Sequence, residues 1–164
     1  MRKKFVVVAL LGFGFLFTAP IARSQGGVKA GPDASTIRDP DLEKDSLHNL
    51  EVARNYFKLK KAYVAALKRC EEIIAGNPNF ARIDEVLLIA AESSLSLADK
   101  KGKQAPSLYV TFDGTTKKTL TAEQFRGMGR DYLVQLVNDH PQSRFRQQAE
   151  ENLKALGGPK TTEP

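Results

Sequence analysis

Cysteine, histidine and the sequence signatures of catalysis are scarce in this chain, and each shortage closes off a class of function. Cys70 is the only cysteine among 164 residues, so no intramolecular disulfide can form. It falls on an apolar helical stripe, where a free thiol behaves as a small hydrophobe, and burial is expected rather than intermolecular pairing. His48 and His140 are the only histidines. His140 precedes Pro141 at a helix end, where it helps satisfy the last carbonyls, and His48 is expected at a helix surface. No Cys/His cluster, His-Glu-x-x-His or calcium-loop spacing occurs, so no metal site is expected. Nucleotide-binding glycine loops and a Gly-x-Ser-x-Gly elbow are also missing. Gly127-Met128-Gly129 follows no strand. The pairs Glu71-Glu72 and Glu150-Glu151 read as solvated helix exteriors rather than general acids. The expectation is a protein that is not an enzyme, with no cofactor and no small-molecule substrate.

Long apolar runs are confined to the N-terminus. Arg2-Lys3-Lys4 is followed by an apolar stretch from Phe5 to Phe17, and Ala22-Arg23-Ser24 offers small residues at the positions a signal peptidase reads. The apolar core is shorter than the ~20 residues needed to cross a bilayer. Residues 1–24 are therefore expected to be a signal peptide cleaved after about Ser24, the alternative being retention as an N-terminal anchor. With no cysteine near the cleavage region, lipid anchoring is not expected. The location implied is periplasmic or secreted.

The leader also explains the charge. The chain carries 25 Lys and Arg against 19 Asp and Glu, a net of +6. Setting aside Arg2, Lys3, Lys4 and Arg23 leaves 21 against 19, or about +2. Arg126, Arg130, Arg144 and Arg146 could gather into a basic patch, but acids are interleaved with them, and no nucleic-acid partner is expected.

Beyond the leader, residues 25–40 are rich in Gly, Pro, Ser and Asp and read as a flexible linker. A helical domain is expected over 41–157, and a disordered tail over 158–164. The first helix places Leu47, Leu50, Ala53 and Phe57 on one face, capped at Asp39 with Pro40 at its first position, or beginning later at Asp45. In the second, Tyr63, Ala66, Leu67, Cys70, Ile73 and Ile74 form one stripe, ended by Gly76 and Asn77-Pro78-Asn79. A very short link at Lys60–Ala62 makes these two an antiparallel pair. A third helix, from about Ala81 to Asp99, buries Ile83, Val86, Leu87, Ala90, Ala91, Ser94 and Leu97. Leu108, Val110 and Phe112 then alternate with Tyr109 and Thr111 before Asp113-Gly114, which predicts a β-hairpin insert at about 105–119. Thr121-Ala122-Glu123-Gln124 is a capping box for a fourth helix, with Phe125, Met128, Tyr132, Leu133, Leu136 and Val137 inward. Gly127 and Gly129 weaken that helix, which suggests either close backbone packing there or a looser N-terminal turn. Ser143 is expected to cap a last helix bearing Phe145, Ala149, Leu153 and Leu156. The fold class is all-α, with about five helices in stacked antiparallel hairpins and a small β-hairpin.

Two of these segments share one form. Helix, Asn77-Pro78 turn and helix recur as helix, His140-Pro141 turn and helix, with the prolines 63 residues apart. That is close to twice the ~34-residue unit of tetratricopeptide repeats. On that pattern Ala53 and Phe57 take the small and aromatic positions of the first helix. Ala66, Cys70 and Pro78 take the small, large and terminal positions of the second. The region 47–156 thus resembles a tetratricopeptide repeat protein and, more narrowly, the outer-membrane-assembly lipoproteins of the BamD (YfiO) type. It departs from them in lacking the lipid-bearing cysteine and in having too few helices for five repeats. The resemblance implies an envelope scaffold that binds another envelope protein or peptide, with peripheral association with an outer-membrane complex. The alternative is a soluble chaperone-like binder of unfolded exported chains. Asn55, Tyr56, Lys58, Glu92 and Ser96 on the first helices of the hairpins, and Tyr109 and Phe112 on the insert, are the partner-binding candidates. The insert could equally be a cover for exposed helix ends.

Overall fold

The computed structural model describes residues 38–157. The expected leader, most of the linker and the tail lie outside these residues. Among them are five α-helices and one two-stranded sheet. The helices are α1 (Pro40–Arg54), α2 (Tyr63–Gly76), α3 (Ile83–Ala98), α4 (Ala122–Asp139) and α5 (Arg146–Ala155). The strands β1 (Val110–Asp113) and β2 (Thr116–Thr119) come between α3 and α4. Each helix packs mainly on its neighbours in sequence, α1 on α2, α2 on α3, α3 on α4 and α4 on α5. None of the described helices is long and apolar enough to cross a membrane.

The helix starts follow local chemistry. Asp39 Oδ1 accepts from the backbone N–H of Asp41 at 2.9 Å and of Leu42 at 3.4 Å, so α1 begins at Pro40, the earlier of its two expected starts. The capping box of α4 forms in full: Thr121 Oγ1 accepts from Gln124 N at 3.2 Å, and Thr121 N donates to Gln124 Oε1 at 2.8 Å. The last helix starts later than expected. Ser143 Oγ accepts from Phe145 N at 3.0 Å in the preceding turn, and α5 begins only at Arg146.

Two faces differ from the simple stripes. Leu47 is 40% exposed, and Ser46 is buried in its place with Leu50 and Ala53. The reason is polar: buried Asn77 of the α2–α3 turn donates through Nδ2 to Ser46 Oγ at 3.1 Å, which rotates α1 toward its serine. In α3 the whole expected stripe is buried, and so are Leu88, Ile89, Ser93 and Ala98 on other faces. A helix packed between two others must be apolar around most of its circumference, and α3 lies between α2 and α4.

The α1–α2 link is as short as expected but unusual in form. The helix continues past Arg54 as a wider π-helical turn over Asn55–Lys60, closed by Ala62 N donating to Tyr56 O at 2.9 Å. Lys61 then adopts a left-handed conformation (φ 51°) and turns the chain into α2. Phe57 packs on Tyr63 across this turn, ring centroids 5.5 Å apart.

The hairpin forms where the alternation places it, with Val110 opposite Thr119 and Phe112 opposite Lys117. Its turn is Gly114-Thr115, one residue beyond the expected Asp113-Gly114, and the single left-handed residue is Gly114 (φ 61°). Glycine at the first central position suits a type II′ turn, which matches the right-handed twist of the strands.

The two central glycines of α4 differ. A Cβ on Gly129 would lie 2.9 Å from Leu95 Cγ and Cδ2 and 3.2 Å from the Ala91 carbonyl oxygen, whereas one on Gly127 would meet nothing within 4 Å. The close packing suggested by the sequence holds at Gly129 alone. Gly127→Ala is accordingly expected to stabilise by up to about 1 kcal/mol, the helix-propensity gain. Gly129→Ala is expected to destabilise by about 1–2 kcal/mol, because overpacking against a backbone oxygen outweighs that gain. Urea titrations of the two variants should show shifts of opposite sign.

Candidate functional site

The two proline turns line one cleft. The turn from Asn77 and the turn from His140 follow the same hydrogen-bond scheme, residue for residue, at the 63-residue offset. Asn77 N donates to Ile73 O (2.8 Å), Phe80 N to Asn77 O (3.1 Å) and Ile83 N to Phe80 O (3.0 Å). Correspondingly, His140 N donates to Leu136 O (3.0 Å), Ser143 N to His140 O (3.0 Å) and Arg146 N to Ser143 O (3.1 Å). In both, the first N–H of the following helix is taken up by the turn itself, which lets two helices meet without a long loop. Between the turns lies an open cleft of about 690 Å³, lined by both prolines and by Arg38, Phe80, Asp84, His140 and Ser143 among others.

A charged cluster lies beside this cleft on the first turn of α3. Asp84 and Glu85 sit there in the favourable field of the helix N-terminus. Ser143 Oγ donates to Asp84 Oδ2 at 2.6 Å, joining the His140 turn to the start of α3. Arg54 grips Glu85 bidentately, Nε to Oε1 at 2.6 Å and Nη2 to Oε2 at 2.7 Å. Arg82 Nη2 adds a third bond at 2.7 Å, and Arg144 Nη2 approaches Oε2 to 3.5 Å. Burial would raise the Glu85 carboxyl, but the hydrogen bond from Arg54 and the charges of Arg54 and Arg82 outweigh it and hold the group below the usual carboxylate range. Three guanidinium groups on one carboxylate leave N–H donors over. Arg144, 71% exposed at its side chain and stacked on the Phe145 ring at 4.5 Å, holds its share toward solvent. The arrangement places the exposed Arg144 guanidinium next in sequence to Ser143 of the cleft lining, which suits an extended peptide segment or a carboxylate.

The α1 side of the cleft is latched by Glu43. Its carboxylate accepts from Ala81 N (3.3 Å to each oxygen) and from Asn77 Nδ2 (3.3 Å). Arg38 Nε donates to Asn79 O at 3.0 Å.

The seven residues singled out in the sequence do not form one patch. Asn55 and Lys58 are exposed and Tyr56 half-buried on the π-helical turn. Glu92 is engaged within the chain, accepting from Gln148 Nε2 (2.6 Å) and Asn152 Nδ2 (3.5 Å) and so tying α3 to α5, with half-buried Ser96 one turn on. Tyr109 is buried (3% exposed), its ring edge-on to Phe125 at 5.4 Å and beneath Lys68 Nζ at 4.7 Å. It pins the base of the hairpin to α2 and α4. Phe112 is 72% exposed, and every residue of β2 is exposed. The four arginines considered as a basic patch are separately tied: Arg126 to Asp99, Arg130 to the Leu156 carbonyl, Arg144 to Glu85 and Arg146 to Glu150. The Glu85 cluster was not singled out in the sequence. Its only local signal is the i,i+3 spacing of Arg82 and Glu85, since Arg54 lies 31 residues away.

Glu71 is not the solvated exterior residue its pairing with Glu72 suggested. It is half-buried and accepts a hydrogen bond from the Tyr109 hydroxyl. Burial raises its carboxyl, and the Tyr109 bond and Lys68 charge offset this only in part. The folded protein therefore binds this proton more tightly than the unfolded chain, so stability is lost as Glu71 ionises and regained as pH falls through its raised pKa. Glu71→Gln keeps an acceptor for Tyr109 without the charge. It is expected to stabilise at neutral pH, because it removes a half-buried charge that burial disfavours. Thermal melts should show that advantage shrinking as pH falls and wild-type Glu71 takes up its own proton. Cys70 is buried, and burial pushes its thiol up, away from the reactive thiolate.

Set against known protein families, curated proteins and solved structures, the chain matches none.

Proposed function

We propose that this chain is an exported, non-catalytic scaffold of stacked tetratricopeptide-like hairpins that binds another envelope protein or peptide. Its turn cleft and the Arg144 edge are the contact surface, and an outer-membrane assembly complex is its setting. The observation that carries this reading is the hydrogen-bond scheme shared by the Asn77 and His140 turns. Repeated helix–turn–helix units stack to leave a surface whose natural ligand is an extended or helical segment of another chain. The leader, Arg2 to Ser24, supports export.

The test is affinity capture from the native envelope with wild-type protein and with Arg144→Glu, followed by mass spectrometry. Wild type is expected to retain one or a few stoichiometric partners, and the variant, which reverses an exposed charge, to lose them at unchanged helicity. Capture that is identical for the two proteins would remove the cleft edge from the interface. A second reading, a holdase for unfolded exported chains, draws on the exposed Leu108 and Phe112 of the hairpin. It forecasts suppressed aggregation of unrelated unfolded proteins, lost in Phe112→Ser.

A further inference from the structure

The α1–α2 turn carries an apolar tip set among lysines. Leu59 is 75% exposed, the most exposed large apolar side chain among the described residues. It stands between Lys58 and Lys60-Lys61, all exposed. A second lysine-bearing loop is fastened to the same place. Lys103 N donates to Lys61 O at 2.9 Å, which brings Lys100, Lys101 and Lys103 alongside. Gly102 (φ 90°) lets the loops meet, because a Cβ there would lie 2.5 Å from both Lys61 O and the Tyr63 ring. Opposing charge is sparse: residues 52–70 and 100–112 contain no Asp or Glu. Asp99 is the acid bordering the patch, bound to Lys101 at 3.0 Å and Arg126 at 3.3 Å.

The backbone adds a second observation. Among the described residues only Lys61 (φ 51°) and Lys100 (φ 54°) hold a positive φ without being glycine, and both lie on this tip. A left-handed lysine costs roughly 1 kcal/mol relative to glycine. The chain keeps charge at both positions where glycine would relieve strain.

We propose that this tip docks the protein on a phospholipid surface bearing anionic headgroups. Six lysines on two joined loops, of which Lys101 is paired with Asp99 and Lys60 lies over the Tyr56 ring, give the electrostatic attraction. Lysine stems lie along an apolar boundary while their ammonium groups stay among the phosphates. Leu59 protrudes from a turn rather than lining a groove, a shape that enters the headgroup layer and does not grip a peptide.

The test labels Leu59→Cys in the full chain with an environment-sensitive fluorophore. The native thiol, Cys70, is buried and out of reach of the reagent. Vesicles of phosphatidylcholine with phosphatidylglycerol are expected to blue-shift the emission, and pure phosphatidylcholine vesicles are not. High salt should reverse the shift. Adding Lys58→Gln, Lys60→Gln and Lys61→Gln should weaken partitioning on the order of 100-fold. Lys44→Gln, Lys117→Gln and Lys118→Gln, an equal charge change elsewhere, should weaken it only a few-fold. All these proteins share residues 1–37, so the differences read the tip. An unshifted emission on anionic vesicles, an equal shift on phosphatidylcholine, or equal losses in the two triple variants would overturn the proposal. So would a shift produced by soluble polyglutamate but not by vesicles, which would assign the tip to an acidic protein.

Discussion

Phe125→Ala is expected to cost about 3–5 kcal/mol and to loosen the hairpin with the core. Phe125 is completely buried and is the largest such side chain among the described residues. Its removal leaves a cavity between α4 and the neighbouring core that the tightly packed α3–α4 contact at Gly129 cannot collapse to fill. It also takes away the edge-on ring under Tyr109, the one buried aromatic that anchors β1. The urea midpoint should fall by roughly 2 M, given a slope of about 2 kcal/mol per molar. Hydrogen exchange of the Val110–Asp113 amides should quicken more than that of α2. Phe125→Leu, which keeps most of the volume, should lose only about 1–2 kcal/mol. Equal exchange rates in wild type and Phe125→Ala would show that Tyr109 holds the hairpin through Glu71 and Lys68 rather than through the Phe125 ring.

Arg54→Met is expected to cost about 2–3 kcal/mol at neutral pH. Cutting one partner from a buried ion pair typically costs 3–5 kcal/mol, because the remaining charge is left without solvation. The lower figure applies because Arg54 is itself 24% exposed at its side chain and Arg82 still reaches Glu85. The pH dependence separates this loss from simple loss of packing. In wild type the Glu85 carboxyl is held below its ordinary value, so its stabilisation is complete above the unfolded-state value near 4.5 and is lost as pH falls through the folded-state value. Without Arg54, burial acts with less opposition and that contribution shrinks. The stability gap between the proteins should therefore be widest near pH 7 and narrow toward about pH 3, read from urea midpoints across that range. A gap that is constant with pH would mean that Arg54 acts through its aliphatic stem alone.

Much of the architecture follows from one-dimensional periodicity. Apolar spacing located five helices, the Thr121–Gln124 box fixed the start of α4, and alternation up to Asp113-Gly114 located the hairpin. These signals act over a few residues, through capping bonds, turn geometry and the face each helix buries, so they are complete within a short stretch of chain. Proline spacing likewise pointed to two similar turns, and their hydrogen bonds agree position by position.

What the sequence left undecided depends on which element packs on which. The burial of α3 on nearly all sides follows from its place between α2 and α4, and nothing in its own spacing says that two neighbours will cover it. Leu47 yields to Ser46 because Asn77, 31 residues on, needs a partner. Glu71 leaves solvent because Tyr109 comes down on it across 38 residues. Glu85 gathers arginines from α1, the α2–α3 turn and the α4–α5 turn. Among the residues proposed for a partner, Tyr109 belongs to the core and Glu92 to an interhelical tie, while Asn55, Lys58 and Phe112 face solvent. The absence of disulfide and metal-motif spacing, the helical class and the proline-turn repeat were fixed by residue identity and spacing alone. Which polar groups are buried, paired or free to meet a partner was decided by tertiary packing, because desolvation and ion pairing depend on neighbours distant in sequence.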